Sequence, residues 1–552
     1  MKLTSRSVFA ILTLSLIFGL LATSSHRAVQ AQAVPPPPPP PPTQIGTQNM
    51  PPDRKAYLDA NRLPDPQKKI EALQKFLTDF PKSQMLYSAH SSLMSVLIKS
   101  APEKKEEILL HANKAIDTAP EFARKFICNQ VATDLIEAGL LLDKAEEFAA
   151  KALSIAEEEQ AKSLRQSRAS YQVLMGRIYL KKGKTKDAEK AFLAAYGAVP
   201  TGEANPTTLR TAALGLAEIA EKQGKYDQAL NHLSTAAIAG RIDASARARL
   251  ETAYRKTHQD SLAGLDEMLD AKYEKEFPSP IKVEPYKPTP SRTERAVLSE
   301  VFTGSGCPPC VAADLAFDAF LERYRNRDVI VMMYHQHIPV PDPMTNPSTQ
   351  ARAKYYTVRG VPSFVIDGDS SQSGGGSRTN AVDVYDRLSP VIERQLEAPA
   401  EAEIKLNADF TGPVVKVTAN VANIKRESGQ FRLQLALVEE SLRFNGENGI
   451  RFHPMVVRSL AGENAGGFAL ERSKLAPIEW RFDLTAITEE LKKHLDDFEK
   501  SRSEDKYTFS EKKHVINPGN LSVVAFVQDD KTKQVLQSVF LKVGSVQAVS
   551  TK

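Results

Sequence analysis

Two thiols three positions apart, in Gly304-Ser-Gly-Cys307-Pro-Pro-Cys310, are the side chains of this sequence best placed to do chemistry. A C-x-x-C pair exchanges electrons when one sulfur is a thiolate, the attacking species in thiol–disulfide exchange. Ahead of the pair, Ala296 to Phe302 reads as a buried strand; behind it, Val311, Leu315, Phe317, Phe320 and Leu321 recur at helical spacing, so 311–324 is an expected amphipathic helix. Cys307 then falls near a helix N-terminus, where unpaired N–H groups and the helix dipole favour an anion. Pro308 and Pro309 suit a first turn because they lack an N–H that would go unpaired there. Cys310, one turn on, closes a disulfide with Cys307 or resolves a mixed one. This chemistry requires a reachable sulfur; a pair sealed from water leaves a secreted adaptor with an inert staple. Two plainer readings stay open. One is half of a zinc site, although the only other cysteine is Cys128, far upstream, and tetrahedral sites usually take four ligands. The other is an inert structural disulfide.

The rest of the chain must position that pair. A length of 552 residues implies roughly three or four domains. Composition is ordinary, 42% hydrophobic and 25% charged, and three cysteines exclude a disulfide framework. Lys2 and Arg6 precede an apolar run from Val8 to Ala22, and Ala31-Gln-Ala33 follows. That is the layout of a secretory leader, so 1–33 is expected to be removed after Ala33. The run is too short for the ~20 residues that span a bilayer. Without the leader the formal charge falls from +5 to about +2, too little to argue for nucleic acid or a membrane surface. An exported chain meets an oxidising compartment, periplasmic or extracellular.

Residues 34–53 hold the unbroken prolines 35–42, an extended polyproline II spacer. From 54 to 274 the composition turns to Ala, Leu, Glu, Lys and Gln, which favours helix. Breaks at Lys182-Gly-Lys184 and Gln223-Gly-Lys225 divide it into hairpins. Gly176, Tyr179, Ala188, Phe192, Ala195 and Pro200 fall at the positions of the tetratricopeptide consensus, and Leu216, Gly224, Tyr226, Ala229, Leu233 and Ala236 repeat the register. This region resembles a tetratricopeptide-type solenoid, whose inner face usually holds another protein. Cys128 lies among residues with core spacing and reads as a buried thiol. A proline-rich linker over 275–293 closes the region.

Residues 294–398 carry the pair. Asp328 to Tyr334 reads as a buried strand, Gln350 to Tyr356 as a helix, and Arg359-Gly-Val-Pro-Ser-Phe-Val-Ile-Asp-Gly368 as a turn and strand, with a last helix over Ala381 to Leu396. This order, with the CPPC and GVP motifs, resembles the thioredoxin superfamily. The resemblance implies that Val361–Pro362 is cis and packs beside Cys307, and that the Val361 backbone binds an extended substrate as an added strand. Gly306 stands where thioredoxins carry tryptophan, so substrate contact there differs. Glu300 is the candidate for the family's buried proton-carrying carboxylate, although its spacing to Cys307 is one residue longer than usual; amid Val297, Leu298, Val301 and Phe302 its pKa would be raised. His335 and His337 beside the pair suggest copper or zinc, with Asp342 as a third ligand, but a wall of the active-site groove is the simpler role.

From 399 to 552 the pattern turns to period two: 403–406, 414–421, 431–438 and 521–527 read as strands, and 534–543 pairs back. That suits an all-β sandwich, interrupted by a helix-prone 484–500. The whole is then a multidomain chain of solenoid, α/β domain and sandwich. The expected activity is thiol–disulfide exchange on cysteine-containing proteins, with Cys307 attacking, Cys310 resolving and no dissociable cofactor. The alternatives are an envelope scaffold with a static disulfide and a metal carrier.

Overall fold

The structure is a computed structural model that describes residues 50–158, 164–198, 205–324 and 328–544. The expected leader and most of the proline spacer lie outside these residues.

Helices fill the first half. They are α1 (Pro52–Asn61), α2 (Pro66–Asp79), α3 (Leu86–Ser100), α4 (Lys105–Thr118), α5 (Glu121–Ala138) and α6 (Leu142–Glu158), followed by α7 (Leu164–Lys181), α8 (Thr185–Tyr196), α9 (Pro206–Lys222), α10 (Tyr226–Ile238), α11 (Ala244–Thr257) and α12 (Leu265–Glu276). From α1 to α11 each packs on its sequence neighbours and α12 packs back on α10, which makes a tetratricopeptide-like array. Local chemistry sets the breaks: Asp65 and Asn205 cap α2 and α9 through their side chains, each ahead of a proline in the first turn. Small residues set the spacing. A Cβ on Gly176 or Gly215 would come within 2.6 or 2.4 Å of the Phe192 ring, so α7, α8 and α9 close on one aromatic side chain.

The second half is a mixed α/β body. In chain order it runs β1 (Val297–Thr303), α13 (Cys310–Arg323), β2 (Val329–His335), α14 (Pro347–Tyr355), β3 (Ser363–Ile366) and α15 (Ala381–Glu397). Then come β4 (Glu403–Thr411), β5 (Val414–Ala422), β6 (Phe431–Arg443), β7 (Phe452–Leu460), β8 (Phe468–Ala469), β9 (Ile478–Asp483), α16 (Leu484–Ser501), β10 (Leu521–Asp529) and β11 (Val535–Lys542). β1 pairs parallel with β2 and antiparallel with β3.

The sheet does not stop at the expected 398/399 boundary. β7 pairs parallel with the outer edge of β2 through Met333 and Val456, giving the order β11-β10-β6-β7-β2-β1-β3, with β8 on β6. Only β4, β5 and β9 form a separate sheet. Strand alternation explains how both halves are covered. Ala436, Val438, Val524 and Phe526 join the core beneath β1, β2 and α13, while Leu433, Leu435, Val523 and Val527 face the small sheet and α16. The sandwich expected over 399–552 therefore exists, but it shares one of its layers with the sulfur-bearing half.

Candidate functional site

The sulfur-bearing turn begins where β1 ends. The Cys307 N–H donates to Gly304 O at 3.0 Å and the Cys310 N–H to Cys307 O at 3.2 Å, so the turn winds directly into α13. Cys307 and Cys310 are joined, with an S–S distance of 2.03 Å. The Val361–Pro362 peptide is cis, and Val361 O lies 3.7 Å from Cys307 Sγ.

The sulfurs are sealed: Cys307 is 1% exposed and Cys310 0%. Two loops do this. A Cβ on Gly306 would meet Val340 Cγ2 at 2.1 Å, so the absence of a side chain at 306 lets the 336–345 loop close over the turn. On the other flank, the Gly376 N–H donates to Pro309 O at 2.7 Å and Gly376 O accepts from the Ala312 N–H. A Cβ on Gly375 would lie 2.8 Å from the Pro362 ring. The glycine-rich segment thus occupies the space beside Pro362.

Glu300 does not stand near the sulfurs in a proton-carrying role. Thr303 on β1 faces α13, where its hydroxyl donates to Asp314 Oδ1 at 2.7 Å. Glu300, three residues back, points to the opposite face of the sheet. There Arg352 of α14 holds it through Nε–Oε1 at 2.6 Å and Nη2–Oε2 at 2.9 Å, and the Tyr356 hydroxyl donates to Oε2 at 2.7 Å. The longer spacing to Cys307 is the physical reason, because a one-residue offset on a strand exchanges its faces.

The acids behind the sulfurs are Asp314, which is buried, and Asp318, which is half-buried. Both lie on α13 at four-residue steps from Cys310, along one stripe of the helix. Burial lifts Asp314 to about 7, opposed by the Thr303 hydroxyl and His335. Burial and the neighbouring Asp314 lift Asp318 to about 8, and Asp318 Oδ1 has no hydrogen-bond partner. The 310, 314, 318 spacing was the available signal, and sequence reasoning passed over it.

Asp318 has a measurable consequence. Its folded-state pKa is raised, so between pH ~4 and ~8 the native chain keeps a proton that the unfolded chain releases, and stability falls as pH rises. Asp318→Asn removes that fall. It is expected to stabilise the chain on the order of 1–2 kcal/mol at pH 8 and to bring little gain at pH 5, by urea unfolding at both values. A gain independent of pH would contradict this assignment.

The Nδ1 atoms of His335 and His337 both turn to Asp342. His335 Nδ1 meets Asp342 Oδ2 at 2.9 Å, and His337 Nδ1 accepts the Asp342 N–H at 3.0 Å while its ring stacks on Phe498. Burial works to raise Asp342, but His335 and the N–H groups of Ser305 and Met344 outweigh it and hold the carboxyl well below the usual carboxylate range. Asp342 is thus the anchor of the 336–345 loop, gripping the sulfur-bearing turn at the Ser305 N–H over 2.6 Å. Among the described residues no cluster of three or more His, Cys, Asp or Glu side chains is arranged to hold a metal ion. Cys128 is buried in α5, where burial pushes its thiol up.

No family model and no curated protein matches the chain. Among solved structures, HBP35 of Porphyromonas gingivalis aligns with a TM-score of 0.31 and 15% identity over 47% of this chain and 81% of its own. BtubC from P. vanneervenii aligns at 0.30 and 16%, over 44% and 99%. TTC0263, a thermophilic TPR protein in Thermus thermophilus, aligns at 0.24 and 16%, over 36% and 98%. Likenesses this slight carry no argument about function. Among the described residues no helix is long and apolar enough to cross a membrane.

Proposed function

We propose that the chain is an exported thiol–disulfide oxidoreductase, thioredoxin-like over 294–398, which acts on cysteine-containing proteins recruited by its helical repeats. Asp314 carries this reading: a fully buried carboxyl, lifted to about 7, stands one helical turn behind Cys310. A static disulfide has no use for such a group, whereas a buried resolving thiol needs somewhere to put its proton. The order of β1, α13, β2, α14 and β3, with the Val361 carbonyl against Cys307, supports the family resemblance.

In the reducing direction, the Cys307 thiolate attacks a substrate disulfide, forming a mixed disulfide and releasing one substrate thiolate. The Cys310 thiol gives its proton to the Asp314 carboxylate, and the Cys310 thiolate attacks Cys307 Sγ. The Cys307–Cys310 bond forms, the second substrate thiolate leaves, and two electrons have passed to the substrate. Oxidation of a substrate runs the same steps backwards. In either direction the segment at Gly375 must leave the Pro362 groove, where an extended substrate would pair with Val361.

One observation favours a second reading. Sulfurs sealed to 1% and 0% suit a structural staple in an adaptor protein. Titration against glutathione separates the two. An exchanging pair equilibrates, with a potential between about −270 and −120 mV. A staple stays oxidised below about −300 mV, and that outcome would retire the oxidoreductase reading.

A further inference from the structure

The tip of the hairpin between β6 and β7, residues 444–451, is wedged between the repeat array and the sulfur-bearing turn. On the array side Glu447 pairs with Arg241, which follows α10, and Arg451 Nε donates to Asp270 Oδ1 of α12 at 2.7 Å. On the sulfur side stands the adjacent residue, Asn448, itself buried. Its Nδ2 donates to Gly304 O at 3.4 Å and to Cys307 O at 3.3 Å, and its backbone N–H donates to Ser305 O at 3.1 Å. One residue therefore holds three of the four carbonyls from Gly304 to Cys307. The tip is a tight turn: the Gly446 N–H donates to Ile450 O at 2.8 Å, the Gly449 N–H to Gly446 O at 3.1 Å, and Asn448 Oδ1 accepts the Ile450 N–H at 3.1 Å. Two adjacent residues in such a turn do not move independently, so a displacement of Glu447 displaces Asn448.

We propose that Asn448 is a positioning residue for Cys307, and that the Arg241–Glu447 pair makes its grip depend on the repeat array. The inference rests on the oxidoreductase reading and says how that site is regulated. A partner that engages the array near Arg241 releases Glu447. The tip then loosens, Gly304, Ser305 and Cys307 lose the donors that Asn448 supplies to their carbonyls, and Cys307 emerges from beneath Val340. None of these contacts touches sulfur, so Asn448 acts through the backbone of the turn.

The test is the rate of iodoacetamide alkylation of Cys307 in the chemically reduced full chain, followed by mass spectrometry from pH 5 to 9. Alkylation of buried Cys128 in the same samples reports global opening. N448A and R241M are each expected to speed Cys307 roughly three- to tenfold, the loss of about one hydrogen bond's worth of hold, with Cys128 unchanged. The double variant should be no faster than the faster single one. N448D keeps the acceptor for the Ile450 N–H but loses the donors and adds a negative charge, so its pH–rate midpoint should move upward. Unchanged rates in N448A with an unmoved midpoint in N448D would overturn the positioning role. An R241M rate within twofold of the parent, or a fully multiplicative double variant, would overturn the link to the array. Glutathione exchange by the unaltered chain is scored separately: its absence defeats the oxidoreductase reading, whatever these rates show.

Discussion

Replacing Asp314 by asparagine is expected to slow closure of the Cys307–Cys310 bond about 10²-fold near pH 7, so that a mixed disulfide accumulates. The carboxyl is fully buried, and burial lifts its pKa to about 7, so near neutrality it is divided between acid and base forms. As a base it takes the proton from Cys310, and the closing rate should therefore rise with pH up to about 7 and then level. As an acid it returns that proton when the bond opens. Asparagine fills the same volume and can still meet the Thr303 hydroxyl through its carbonyl oxygen, but it can do neither. Rapid acid quenching with mass spectrometry measures the mixed disulfide directly. A variant that closes at the parent rate, with the parent pH dependence, removes Asp314 from the proton path.

The second large effect lies on the other face of the same sheet. Arg352→Met should destabilise the chain by about 3–5 kcal/mol, because it strands the Glu300 carboxylate at 0% exposure without its bidentate partner. The double variant Glu300→Met/Arg352→Met should recover most of that loss, since a well-packed apolar pair of similar volume usually does no worse than a buried ion pair. Urea unfolding of the two variants and the parent decides it. A loss under about 1 kcal/mol for Arg352→Met would mean that the Tyr356 hydroxyl alone satisfies Glu300.

These two carboxylates show what the sequence disclosed and where it stopped. The strand, turn and helix around the cysteines were readable because β2 is a nearly unbroken apolar run, β1 carries Val297, Leu298, Val301 and Phe302, and α13 repeats its large apolar residues at helical spacing. The helix was expected over 311–324 and runs Cys310–Arg323. Glu300 was assigned by its type and by the apolar residues around it. Which face of a strand a residue occupies depends on a one-residue offset, and only the pairing of β1 with α13 and α14 reveals it. Asp314 and Asp318 were missed for a related reason. On an isolated amphipathic helix they read as the wet side, but Asp314 turns onto Thr303 of β1 and Asp318 lies within the field of Arg378. Asn448 was invisible in another way, because Asn445-Gly-Glu-Asn-Gly449 has the composition of any polar hairpin turn. Its importance comes from residues more than 140 positions earlier in the chain. The sandwich strands were legible from their period-two pattern. That β7, while paired with β6, would also pair with β2 was not, since fully buried strands carry no mark of their neighbour.

The union of β7 with β2 decides what can be borrowed from this molecule. A fragment cut at 294–398 would bare one side of β2, whose seven residues are all buried, and would remove the Asn448 clasp together with the β11 contacts that Arg295 and Ala296 make with Val535 and Gln537. Such an excised piece would present a raw, water-averse seam ready to stick to its own copies. The smallest portable module carrying the cysteines is therefore the whole body from the linker to the final strand.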